Sequence, residues 1–247
     1  MKLFNKATAL SLVLALLLGT LISCGPKVES YTATVTTSFS SNDAEMVDAI
    51  AALDKSEVIL SVYGDSIEVV SSTKIGDIEM DKTYVVKDGV LYNNTTLKAE
   101  GKTASEKQKA PFKESDRSEL LAKVGAGAEL DVNDFNKVVE SKEKKITAYT
   151  CSDIKDDAKA SLEAIFAAKF ASIDADVSML DAEYYVEKND DKPVSYILNS
   201  RFVITIGDAS YSVNMTIEAD YDYDSKVEIN APDAAGFKET SYEDIIG

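Results

Sequence analysis

The longest regular pattern in the chain lies near its end, in "YSVNMTIEADYDYD". Tyr211, Val213, Met215, Ile217, Ala219, Tyr221 and Tyr223 share one side, and Ser212, Asn214, Thr216, Glu218, Asp220, Asp222 and Asp224 the other. Successive side chains of a strand point to opposite faces, so this spacing predicts a long strand with one apolar and one wet face. At about 3.3 Å per residue it would run roughly 40 Å, and a strand that long belongs in a bent sheet. The same period of two opens the folded part, where Tyr31, Ala33, Val35, Thr37 and Phe39 alternate with Thr32, Thr34, Thr36 and Ser38. Shorter strand-like pieces follow at 58–63, 66–72, 82–86 and 90–92. Gly64-Asp65 and Asp88-Gly89 sit where hairpin turns are expected, which predicts an antiparallel meander. Further strands are expected around "ITAYTC", over 182–187, 194–200 and 202–206.

Helical spacing is rarer. Met46, Ala49, Ile50 and Leu53 share one side, with Asn42 as the expected cap and Glu45 three residues on. The clearest helix is expected over 153–170. Ala158, Leu162, Ile165, Phe166 and Phe170 form its apolar stripe, Asp153 its cap and Asp156 an acid in its first turn. Shorter helices are expected at 120–124 and 131–140, the latter with Phe135, Val138 and Val139 on one face. Residues 101–119 are polar and contain Pro111, which predicts a loop and a candidate lid. The order points to an α+β fold in residues 31–247: a large curved antiparallel sheet, an open or half β-barrel, with helices packed on its concave side.

Composition narrows the chemistry. The net charge of −17 repels phosphate backbones and excludes a nucleic-acid role. The chain has no histidine, which removes the usual general base near neutral pH, the commonest metal ligand and any His-containing triad. With 43 acidic residues some carboxylates pair by number alone, and none is marked as an acid and base facing one cleft. Asp220, Asp222 and Asp224 tempt a calcium reading, but alternate carboxylates on a strand stand about 6–7 Å apart and form no compact loop. No catalytic residue, metal or cofactor is expected.

The first residues carry their own pattern. Lys2 and Lys6 precede an apolar run over 9–18, and the run ends in Leu21-Ile22-Ser23-Cys24-Gly25. A basic start, an apolar core and small residues read as an export signal, too short to span a membrane comfortably. The segment 21–24 resembles the bacterial lipoprotein signal: Leu, a small or apolar residue, a small residue, then Cys. The resemblance implies that residues 1–23 are removed and that Cys24 carries a diacylglycerol. Residues 24–30 would then tether the fold to the outward face of the cell membrane. Acyl chains anchor through about 0.8 kcal/mol per buried CH₂. Cys151 would then have no disulfide partner in the chain, and its apolar surroundings predict a buried, inert thiol.

The segments "YTATVTTSF", "YVVKDGVLYNN", "SLEAIFAAKF" and "NMTIEADYDYDSKVEINAPDAAGF" together resemble lipoproteins and lipoprotein carriers of the LolA/LppX-type fold. That resemblance, over residues 31–235, implies an unclosed barrel with helices lining one opening and an apolar cavity for acyl chains or other lipids. Phe39, Phe166, Val213, Met215 and Ile217 are its candidate cavity residues. Ordinary core packing explains the same residues, and sequence does not separate lining from filling. The function expected is a membrane-anchored, non-enzymatic protein that binds a lipid or acyl chain. The alternative is a scaffold that binds an envelope or host protein.

Overall fold

The computed structural model describes residues 30–51, 56–121, 130–170, 175–224 and 227–246. The expected signal peptide and tether, with Cys24, lie outside them. The first strand, β1 (Ser30–Ser40), is followed by helix α1 (Ala44–Ala51) and five strands: β2 (Ser56–Tyr63), β3 (Ser66–Ile75), β4 (Ile78–Lys87), β5 (Val90–Ala99) and β6 (Lys102–Pro111). A short helix α2 (Arg117–Leu121) precedes β7 (Phe135–Glu143) and β8 (Ile146–Ile154). Helix α3 (Asp156–Phe170) leads to β9 (Ala175–Asn189), β10 (Lys192–Ile206) and β11 (Ala209–Asp222), and the chain closes with β12 (Lys238–Glu239) and α4 (Tyr242–Ile246).

All these strands form one open 12-stranded sheet in the order β12-β6-β5-β4-β3-β2-β1-β11-β10-β9-β8-β7. It is antiparallel except where β12 runs parallel to β6. Two meanders, β1–β6 and β7–β11, meet where Val35 of β1 lies between Val58 of β2 and Ala219 of β11. The expected alternation holds at this centre. Tyr211, Val213, Met215, Ile217, Ala219 and Tyr221 are buried, while the polar residues between them are exposed or half-buried. At Asp88 and Gly89 both φ angles are positive, as a two-residue hairpin turn with the strands' own twist requires.

Several expectations fail at the rims. Residues 102–111 are the strand β6, not a loop or a lid. Their polarity reflects an edge position in which both faces are largely wet, and Pro111 ends the strand, where its missing N–H costs little. Residues 131–140 do not form a helix. A turn at Val132–Asp134 leads into β7, an outer edge strand of which only Phe135 is buried. The spacing of Phe135, Val138 and Val139 imitates a helical face because an edge strand with two wet faces shows no period of two. Helix α3 starts three residues later than expected. Asp153 is not its cap but a positive-φ residue (65°) at the end of β8. The carbonyl before α1 that accepts from Met46 and Val47 belongs to Asp43, not Asn42.

Strands of unequal length leave backbone groups unpaired, and helix-side residues take them up. β11 outruns β1, whose register ends at Ser40↔Asn214. Ser212 N–H there donates to Asp43 Oδ2 at 2.8 Å, and its carbonyl accepts from Ser41 Oγ. β9 likewise outruns β8, whose pairing ends at Cys151↔Tyr184. Met46 of α1, Leu120 of α2, Leu162 of α3 and Ile245 of α4 join one buried cluster with the apolar face of the sheet.

The C-terminal segment crosses to the opposite face. Phe237 packs edge-on against Tyr92 at 5.4 Å, beside buried Val85. β12 then covers the edge of β6, with Thr240 N–H donating to Lys109 O at 3.0 Å. In α4, Tyr242 Oη donates to Asp116 O at 3.0 Å and Ile246 returns to the main cluster. The tail therefore covers an edge.

Candidate functional site

Four of the five candidate cavity residues lie together on the apolar face of β1 and β11. Phe39 stands directly opposite Met215, and Ile217 opposite Thr37. On the other side of β11, Val213, Met215 and Ile217 face Phe202, Ser200 and Leu198 of β10. Val213, Met215 and Ile217 are almost wholly buried, and Phe39 is half-buried. Phe166 belongs to α3, and its side chain lies outside the described residues. The shared face follows from parity: a period of two places every second residue of β11 in one layer, and the register brings Phe39 beside it.

One polar group in that layer escaped notice in the sequence. Ser200 is 4% exposed, and its Oγ has no hydrogen-bond partner among the described residues. A buried hydroxyl left unsatisfied costs about 1–3 kcal/mol. Nothing in the local spacing marks Ser200, because a serine within an alternating strand reads equally well on either face.

Towards the start of β1 the layer becomes aromatic. Phe135 stacks on Tyr184 at 5.9 Å, Tyr184 meets Tyr196 at 5.8 Å, Tyr196 meets Tyr221 at 6.4 Å, and Tyr221 meets Tyr31 at 6.0 Å. The track crosses β7, β9, β10, β11 and β1. Burial pushes the Tyr31 phenol up to about 12, with nearby Arg117 acting in the opposite sense. Burial raises Tyr221 and Tyr223 as well. Tyr223 Oη donates to Pro193 O at 2.7 Å, the rim hydrogen bond expected of a partly buried tyrosine. Tyr221 and Tyr223 stand at the end of β11, which lies at the centre of the sheet between β1 and β10.

Three cavities among the described residues bear on the site. A groove of about 440 Å³ runs over the middle of β9, β10 and β11, lined by polar side chains, Ser200 among them, and by Ala182 and Met215. Asp181 and Arg201 form an ion pair in it, and Thr216 Oγ1 donates to Asn199 Oδ1 at 2.8 Å. Met215 reaches this groove, whereas Phe39, Val213 and Ile217 line none of the three. A smaller cavity of about 210 Å³ lies under the C-terminal segment, between Val85, Tyr92 and Phe237. A third, of about 460 Å³, opens between the Gly64–Asp65 and Asp88–Gly89 turns. Cys151 is fully buried, and burial raises its thiol pKa, helped by Asp131. Asp220, Asp222 and Asp224 are exposed, and Asp222 Oδ1 accepts from the Asp224 N–H at 2.8 Å.

No family model matches the chain, and no curated protein matches it. Among solved structures, the dehydratase domain of PpsC from Mycobacterium tuberculosis in complex with C12:1-CoA is 9% identical. That alignment covers 89% of this chain and 84% of the other, at a TM-score of 0.16. A second structure, the dehydratase domain of the polyketide PpsC from the same organism, is 7% identical with 89% and 83% covered and the same TM-score of 0.16. A likeness of that size carries no argument about fold or function.

Proposed function

We propose that this chain is a membrane-anchored extracytoplasmic lipoprotein of the LolA/LppX type that binds a hydrophobic ligand such as a lipid or acyl chain, without enzymatic activity. The observation that carries this reading is the continuous apolar face of an unclosed sheet, centred on β1 and β11, with the unpartnered Ser200 hydroxyl inside it. In this reading the sheet curves around its apolar face as a half-barrel, and α1 and α3 cover the concave side. Acyl carbons replace side-chain contacts there, Met215 adapts to the cargo through its flexible thioether, and Ser200 meets an ester or hydroxyl. Cys24 carries the diacylglycerol that holds the protein at the membrane.

Native mass spectrometry of soluble residues 25–247, purified without detergent, tests the reading. Bound mass released as lipid is the expected result. A clean unliganded mass after exposure to mixed membrane lipids would overturn it.

One observation favours a second reading, a scaffold for an envelope or host protein. β7 forms an outer edge of the sheet, and Val139 on it is 68% exposed. An open edge strand of this kind can pair with an extended partner.

A further inference from the structure

The described chain enters the sheet at one end. Ser30 lies opposite Tyr63, beside the Gly64–Asp65 turn. A residue spans at most about 3.6 Å, so this end lies within roughly 22 Å of an anchor on Cys24. On the anchored reading, it is the end that faces the bilayer.

The cavity of about 460 Å³ opens there. Phe112 N–H donates to Gly89 O at 2.8 Å and holds the end of β6 against the Asp88–Gly89 turn. Val86 and Phe112, both buried, make an apolar floor, and Tyr63 stands at the lip, 55% exposed. The charges are mixed. Lys87 Nζ donates to Ser66 Oγ at 3.1 Å and pairs with no carboxylate among the described residues. Asp65 and Asp88 line the same cleft and form no ion pair among the described residues, whereas Glu114 is partly balanced by Arg117 at 3.5 Å.

We propose that this cleft receives the headgroup of a membrane phospholipid that carries both a phosphate and a primary ammonium. Lys87 retains donors for the phosphate, and the Ser66 hydroxyl supplies another. Asp65 and Asp88 accept from the ammonium. Val86, Phe112 and Tyr63 contact the glyceryl carbons. A purely anionic headgroup would meet two unpaired carboxylates and the field of a chain with net charge −17. A purely cationic one would leave Lys87 opposed.

The test uses probes without acyl chains. The full chain, extracted from membranes in an uncharged sugar detergent, is titrated with glycerophosphoethanolamine, glycerol phosphate and ethanolamine, and binding is read by saturation-transfer NMR. Glycerophosphoethanolamine is expected to bind saturably, about 5-fold or more tighter than either fragment, as loss of a charge-assisted hydrogen bond implies. Lys87→Gln and Asp65→Asn should each weaken it by about 5-fold or more, and Lys142→Gln on β7 should leave it unchanged. No saturable binding, equal binding of all three probes, or indifference to both cleft variants would overturn the proposal. The probe comparison needs only the unmodified chain, so a variant that fails to fold does not rescue the idea. A chain that takes up acyl lipid yet ignores glycerophosphoethanolamine sinks this proposal and leaves the hydrophobic-ligand reading standing. The reverse result supports the cleft alone.

Discussion

Glu163 of α3 accepts a hydrogen bond from the backbone N–H of Met179 at 2.7 Å. Met179 sits where β9 has run past β8 and just before a register shift, between Met179↔Phe202 and Asp181↔Arg201. A carboxylate therefore does the work of a missing strand and ties the helix to the sheet. Glu163→Ala should destabilise the fold by about 1–3 kcal/mol, the cost of orphaning a buried donor. Glu163→Gln keeps an acceptor and should lose less. Urea unfolding of the three proteins measures this, and an unchanged midpoint for the alanine variant would count against the tie.

Met215 and Phe39 face each other across β1 and β11, but only Met215 is fully buried. Met215→Ala should cost about 2–5 kcal/mol, as for other large-to-small changes at buried positions. Phe39→Ala should cost less than a fully buried phenylalanine would. A small loss at Met215, with the protein free of lipid, would mean that the side chain already borders empty space.

Alkaline stability follows from the tyrosines. Burial holds Tyr31 and Tyr242 at about 12, above the value of about 10 for an unfolded chain. Between those values the unfolded chain has released protons that the folded chain still holds. The stability contributed by neutral burial is thus complete below pH ~10 and falls as pH rises towards ~12. Tyrosinate absorbance should lag behind that of the urea-unfolded chain across this window. Coincident titration curves would contradict the burial of the phenols.

Cys151 should be inert in the native state. It has no solvent exposure, and its thiol pKa is raised, so little thiolate exists to attack a reagent. A coloured aromatic disulfide should label it only as the protein unfolds. Rapid labelling under native conditions would show that β8 opens.

Anchoring has its own check. On the anchored reading, Cys24→Ser should shift the protein from the membrane fraction to the soluble fraction, because the acyl chains on Cys24 supply most of the membrane affinity and the acidic fold repels anionic headgroups. Retention of the variant on membranes would require another attachment.

The face shared by Phe39, Val213, Met215 and Ile217 was legible because strand parity is a local property. Each second residue goes to the same side whatever the neighbouring strand turns out to be. The turns at Gly64-Asp65 and Asp88-Gly89 were legible for the same reason, since their chemistry acts within a few residues. Ser200 was not legible, because its burial depends on Ala182 and Met215 across two strand boundaries. Nor was the Lys87 cleft, which joins the ends of β2, β4 and β6.

By itself, then, the sequence determined which residues of the central strands face the apolar layer, and where the chain reverses. Those outcomes rest on backbone alternation and turn preferences, which need no distant partner. Only the tertiary structure decided that the polar run 102–111 and the helix-like spacing of 135–139 are edge strands. At an edge both faces meet water and the pairing energy comes from a neighbour, so the period that betrays a strand elsewhere is lost. The unequal strand lengths were decided at the same level. They leave N–H groups at Ser212 and Met179 that Asp43 and Glu163 satisfy, and this is what ties α1 and α3 to the sheet.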